Sequence, residues 1–218
     1  MLKNCDWSLD RDYKTGSEDE PLQFYLDGLG NSTEFNLLLG YFSSSAINLL
    51  SVGFATFISK DGKMKMVINH LLSAKDKEAL EKANQEPIDK VFDLSDVVSL
   101  GRVLDDYDVH FFECLTYLIS EKRIKIKVLK PKNGKGIAHY KSGVFNDGQN
   151  YVGYKASCNF TLYGLSENLE ELEAYHNWLK NCYKGIFAMA TGTGKTITSL
   201  NCLLEEYRKT NSYYSRPL

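Results

Sequence analysis

The sequence predicts an α/β fold, with one mixed β-sheet flanked by helices. Three observations carry that reading. Residues 35–42 (FNLLLGYF) and 63–69 (KMKMVIN) have strand patterns and enclose a helix-periodic stretch at 46–58, a strand–helix–strand unit of about 35 residues. Residues 137–155 form a second pattern, two extended runs around the turn pair Asp147-Gly148. Between these lie enough amphipathic segments to cover a sheet.

The elements follow in order. Residues 1–20 are polar and irregular, with Trp7 and Tyr13 as anchors onto the domain. The first strand ends at Ser43-Ser44-Ser45, which can cap the helix at 46–58. Asp61-Gly62 turns the chain into the strand at 63–69. Ser73 caps a helix over 73–84 that carries Asp76 in its first turn, and two more helices are expected at 91–104 and 109–120. A strand at 124–129, a Pro-Lys-Asn-Gly-Lys-Gly loop at 131–136 and the hairpin come next. A helix over 167–179 is expected to close the domain. No internal repeat is visible.

Composition narrows the class. With 218 residues, 43% hydrophobic and 25% charged, the chain can bury one sizeable core plus an appendage. No apolar run reaches the roughly 18 to 20 residues that span a bilayer, and the N-terminus does not read as a signal peptide. The five cysteines (5, 114, 158, 182, 202) are scattered singly, which argues against a disulfide framework and a zinc site and for a cytoplasmic location. The net charge of −2 is no sign of a nucleic-acid partner, but its distribution is: between Glu121 and Lys141 there are eight basic residues and one acid. The alternate lysines at 125 and 127 also fit the wet face of a half-buried strand.

The chemistry concentrates in residues 139–170. His139 and Lys141 are spaced i, i+2, which on a strand puts both side chains on one face. The hairpin returns the chain towards Ser157 and Asn159, so imidazole, ammonium, hydroxyl and carboxamide can meet at one end of a sheet. Those groups can hold and attack a phosphodiester. His-x-Lys, 17 residues, Asn159, 10 residues and Glu170 together resemble the signature of the phospholipase D-like superfamily, closest to its nuclease and restriction-endonuclease branch. The resemblance covers roughly residues 20 to 175. Two positions depart from the pattern: Asn146 stands where an Asp follows the Lys, with Asp147 beside it, and Ala156-Ser157 replaces a Gly-Ser pair.

The resemblance implies a phospholipase D-like nuclease fold and a metal-independent endonuclease acting on DNA through a phosphohistidine. His139 is then the nucleophile, since a neutral imidazole is available near pH 7. Lys141 and Asn159 hold the non-bridging oxygens, Ser157 adds a donor, and Glu170 fixes the imidazole tautomer. One histidine cannot be both occupied covalently and protonate the leaving group. None of His70, His110 and His176 has a lysine two residues on, so a homodimer with two His139 sharing one site is expected. His70, just past a strand, reads as a packing or surface residue, with a place on the rim of the site as the alternative, and His176 reads as an exposed residue of the closing helix.

A second motif stands at 185–196, GIFAMATGTGKT, followed by a helix-forming stretch at 197–209. It looks like motif I of superfamily 2 helicases, with Gly192, Gly194, Lys195 and Thr196 as the phosphate-cradling residues, although Met189 stands where the general pattern has Gly. Only 22 residues follow Thr196, too few for a nucleotide-binding sheet, so ATP and magnesium would be cofactors only of a complete helicase domain and the loop is expected to be vestigial. The expected organisation is an N-terminal segment (1–20), a nuclease domain (21–176) and a truncated start of a helicase domain (177–218), from a restriction or defence protein. Rival readings are an inactive DNA-binding or dimerisation module, an ATP-binding helicase fragment, and a lipid phosphodiesterase, which lacks an amphipathic basic helix to face a membrane.

Overall fold

The computed structural model describes residues 1–9, 11–85, 91–129 and 139–176. The 131–136 loop, the stretch 197–209, and Gly192, Gly194, Lys195 and Thr196 lie outside the described residues.

Within the described residues the strands are β1 (Asp12–Lys14), β2 (Glu34–Leu39), β3 (Lys63–Asn69), β4 (Ile124–Leu129), β5 (Lys141–Asn146), β6 (Tyr151–Ala156) and β7 (Glu171–His176). They form one sheet in the order β1-β7-β6-β5-β2-β3-β4. β2, β3 and β4 are parallel; β5, β6, β7 and β1 join antiparallel on the other side of β2. The helices are α1 (Pro21–Asn31), α2 (Ser45–Leu49), α3 (Ser51–Ser59), α4 (Ala74–Gln85), α5 (Val97–Asp105), α6 (Val109–Ser120) and α7 (Leu162–Ser166). The mixed sheet with flanking helices is the expected α/β architecture.

The centre of the core is aromatic. Phe35 and Phe145 are register partners across β2 and β5, and their rings stack at 4.0 Å with a 13° tilt. Phe24 and Tyr25 of α1 meet Phe145 edge-on at 5.8 and 6.3 Å. Tyr154 and Phe160 complete the cluster around Tyr25. Each such ring contributes about 1.5 to 3 kcal/mol by leaving water. Gly28 allows the close approach of α1: a Cβ there would fall on the Phe145 ring.

Local chemistry accounts for the helix starts. Ser73 Oγ accepts from Asp76 N at 3.1 Å and donates to the Asp76 carboxylate at 2.8 Å, the expected cap of α4. Asp96 and Asp108 accept backbone N–H groups at the starts of α5 and α6.

Several expectations are corrected. The segment 167–179 is not a helix as far as it is described: α7 occupies Leu162–Ser166 and Glu171–His176 is strand β7. Leu172 and Ala174 are buried while Glu171 is exposed, the period of a strand, and β7 pairs on both sides with β6 and β1. The N-terminal segment is not wholly irregular, since it supplies β1 and buries Leu2 and Tyr13. Helix α1 was not expected; Pro21 at its first turn and Phe24, Tyr25 and Leu29 on one face are its signals. The 46–58 helix is broken at Leu50 into α2 and α3, and the 91–104 helix starts only at Val97, where Asp96 caps it.

Gly28→Ala is expected to destabilise the protein by about 1 to 3 kcal/mol through overpacking on Phe145, read as a lower urea midpoint at unchanged slope.

Candidate active site

Strand direction gathers the predicted residues at one end of the sheet. β2 ends at Leu39, and Leu39 is the register partner of Lys141, where β5 begins. β6 returns to that end with Ala156, opposite Leu172 near the start of β7. His139, Lys141, Ser157, Asn159 and Glu170 therefore all come from strand ends or adjoining loops on one edge of the fold. The strand pleat puts Lys141 on the core face with Leu39 and Phe145.

His139 is exposed just before β5, and Lys141 is only 8% exposed. The Lys141 ammonium lies 3.1 Å from His139 Nε2 and 3.4 Å from Nδ1, the contact that the i, i+2 spacing predicts. No carboxylate among the described residues comes within ion-pair distance of Lys141. Burial holds its pKa below the ordinary lysine value, with the charges of Glu170 and Cys158 pulling the other way. A nearly buried ammonium whose only hydrogen-bond partner among the described residues is an imidazole lacks there the anion that normally compensates it.

Glu170 is placed differently from the expectation. Its Oε2 accepts a hydrogen bond from Ser157 Oγ, and its Oε1 accepts from Asn168 Nδ2 at 3.4 Å. No hydrogen bond joins it to His139 among the described residues, so the carboxylate acts on Lys141 through space and does not orient the imidazole in this state. Ser157 in turn has its one hydroxyl proton committed to Glu170 while Oγ accepts from Glu171 N at 3.0 Å. The reason is the β6–β7 register, which sets Ser157 N against Glu171 O at 2.8 Å and so brings the hydroxyl to the carboxylate.

Asn159 Oδ1 is buried and has no hydrogen-bond partner among the described residues. The turn that holds it is tight: Thr161 N donates to Asn159 O at 2.9 Å, and Thr161 Oγ1 caps α7 by accepting from Gly164 N at 3.0 Å. A Cβ at Gly164 would strike the Asn159 carbonyl, so glycine there permits the turn. Ser43 N bonds Phe160 O and Leu162 N bonds Ser45 Oγ, each at 3.1 Å, tying this turn to the loop after β2.

None of the other histidines is hydrogen-bonded to this group among the described residues, although His70, just past β3, lies at the same end of the sheet. His70 Nδ1 lies 2.7 Å from Asn69 Oδ1 just past β3, and His110 lies 2.9 Å from Glu113 on α6. His176 ends β7 opposite Val152, at the far end of the sheet, and is not in a helix as expected.

Two further residues shape the site without a sequence signal. Thr15 exchanges bonds with Glu170 across 155 residues, Glu170 N to Thr15 Oγ1 and Thr15 N to Glu170 O, both at 3.1 Å. Cys158 is buried between Ser157 and Asn159, and its thiol is pushed up to about 12 by burial and, next, by the Glu170 charge. No group of three His, Cys, Asp or Glu side chains converges as a metal-ligand set among the described residues.

No protein-family model matches the chain, and no curated protein matches its sequence. Among solved structures it is similar to NucT from Helicobacter pylori, at 14% identity and a TM-score of 0.43 over 89% of this chain and 94% of that one. It is also similar to yeast tyrosyl-DNA phosphodiesterase, at 11% identity and a TM-score of 0.42, and to phosphatidylserine synthase of Haemophilus influenzae, at 13% and 0.46. The chain aligns over 75% and 92% of its own length with these two, but spans only 31% and 45% of theirs. These are likenesses of overall shape, at identities too low to assign a role to any residue.

At pH 8 a thiol titrating at about 12 is ionised in roughly one molecule in ten thousand. Cys158 is therefore expected to resist iodoacetamide in the native protein and to label only as the protein unfolds in denaturant, as read by peptide mass.

Proposed function

We propose that the chain is a metal-independent phosphodiesterase that cuts DNA through a phosphohistidine on His139. The observation that carries this reading is the nearly buried, unpaired Lys141 ammonium touching the ring of the exposed His139. A non-bridging phosphate oxygen supplies the missing counter-charge and sits beside the nucleophile when bound there. The side-chain amide of Asn159, whose Oδ1 is buried without a partner among the described residues, is the second contact for that phosphate at the same sheet end, with the amide turned so that Nδ2 donates.

In the first step a neutral His139 nitrogen attacks phosphorus, the bond to the leaving oxygen breaks, and that oxygen takes a proton. The donor is a protonated second imidazole, which a single copy of this motif does not provide. A homodimer that places two His139 rings in one pocket supplies it. In the second step the now neutral partner imidazole removes a proton from water, the water oxygen attacks the phosphohistidine, and the P–N bond breaks to free His139. Lys141 and Asn159 hold the equatorial oxygens throughout. Glu170 keeps a negative charge near the Lys141 ammonium; rotation of the Ser157 hydroxyl would release that proton to the phosphate. A place in a restriction or defence system, and a helicase partner segment at 177–218, belong to the same proposal through the sequence resemblance.

DNA should be cut in excess EDTA, with the activity in the two-chain fraction of a sizing column. His139→Ala should lower the rate by at least about 10³-fold. Retained cleavage in that variant, or loss of all wild-type cleavage in EDTA, rejects the mechanism. Lys141→Met should abolish cleavage and yet raise stability by about 1 kcal/mol, roughly 2 to 4 °C in Tm, because it removes a nearly buried, uncompensated charge. A lower Tm would mean that the ammonium is already compensated in the free protein.

A further inference from the structure

The sheet has two unlike faces, and the one turned away from the aromatic core carries lysines in register on β3 and β4. Met64, Met66, Ile68 and Ile124 are buried on one side, while Lys63, Lys65, Lys125 and Lys127 are exposed on the other. Lys65 is the direct register partner of Lys125, and Lys127 lies opposite Val67, two residues along β3 from Lys65. At ordinary sheet spacings the Cα atoms of Lys65, Lys125 and Lys127 are about 5 to 7 Å from their neighbours in this set. Like charges directly across a ladder destabilise it, so this pairing works against the sheet.

Among the described residues none of Lys65, Lys125 and Lys127 takes part in an ion pair, in contrast to Lys14, Lys77, Lys82 and Arg123 though not to every other lysine. On β2 the residue beside Lys65 is Asn36, and the residue beside Val67 is Leu38. Lys63 is excluded from the set because it lies opposite Glu34.

Direction adds to the argument. β3 and β4 run parallel to β2, so all three end where Lys141 begins β5, the lysines on the open face and Lys141 on the core face of the same sheet end. Lys127 is level with Leu38, one residue short of the Lys141 partner Leu39. Three strand spacings, about 14 Å, separate it from β5.

We infer that Lys65, Lys125 and Lys127 form a phosphate-backbone track on the open face of the sheet, which holds a nucleic acid as it runs to the His139 end. The inference rests on the DNA reading of the site and adds to it a second surface for the same substrate. Three separate phosphate contacts make binding salt-dependent and largely independent of base sequence.

The test uses binding rather than cleavage, so that it stands apart from the mechanism. A labelled 30-nucleotide DNA, single-stranded or duplex, is titrated with the full chain carrying His139→Ala at 50 to 300 mM salt. Adding Lys65→Ala, Lys125→Ala and Lys127→Ala together should reduce the slope of log affinity against log salt by about 2 to 3, at roughly 0.7 to 0.9 per lost contact. Affinity at 0.1 M salt should fall at least 10-fold. The control carries the same change in net charge on α4, through Lys75→Ala, Lys77→Ala and Lys82→Ala, and should keep the parent slope. An unchanged slope in the sheet variant, an equal loss in the control, or no DNA binding by the parent overturns the inference. A parent that binds with the expected slope difference while the wild-type chain cuts nothing would sink the mechanism alone.

Discussion

The antiparallel pairing of β5 with β2 sets the geometry on which the rest depends. Phe35 stacked on Phe145 holds its register, and that register alone decides that Lys141 faces inwards beside Leu39. A slip of one residue would send Phe145 to the solvent face and turn Lys141 out with it. The buried stacking therefore defends a costly ammonium position. The hydrophobic interior contributes to the site by leaving the charge no choice of side.

Seen from the charges, the sheet end is a balance with one place open. Lys141 is short of an anion, Glu170 is engaged by Ser157 and Asn168, and Asn159 has an idle amide oxygen. Natural proteins keep few such groups without use, because each costs free energy on folding. A bound phosphate oxygen would give the ammonium its missing counter-charge, and would engage Asn159 only with the amide turned to present Nδ2.

How much was legible in the sequence depended on the range of the interaction. His139 and Lys141 are two residues apart, and that short separation keeps them in contact although His139 stands just before the strand. The Asp147-Gly148 turn made the hairpin equally plain. The segment from Glu167 misled because Leu169 and Leu172 fit a helical spacing as well as the strand alternation of Leu172 and Ala174. Pairing with β6 and β1, remote in sequence, decided the matter for the strand. Helix α1 went unread because Gly28 looks like a breaker until the Phe145 ring is seen against it. For the same reason the Glu170–Ser157 bond was invisible: it follows from the β6–β7 register, which no local pattern records.

The clasp between Thr15 and Glu170 has a consequence for how the site is held together. β2–β3 and the β5–β6 hairpin join segments near one another in the chain, and β2–β5 closes a long loop of its own, while β1 is three residues long, sits at the sheet edge and closes across 155 residues. Such a contact bears the full loop-closure entropy and gains few bonds in return. Of the two long closures it has the fewer paired residues, so the carboxylate depends on the shorter strand pairing and the ammonium on the longer one.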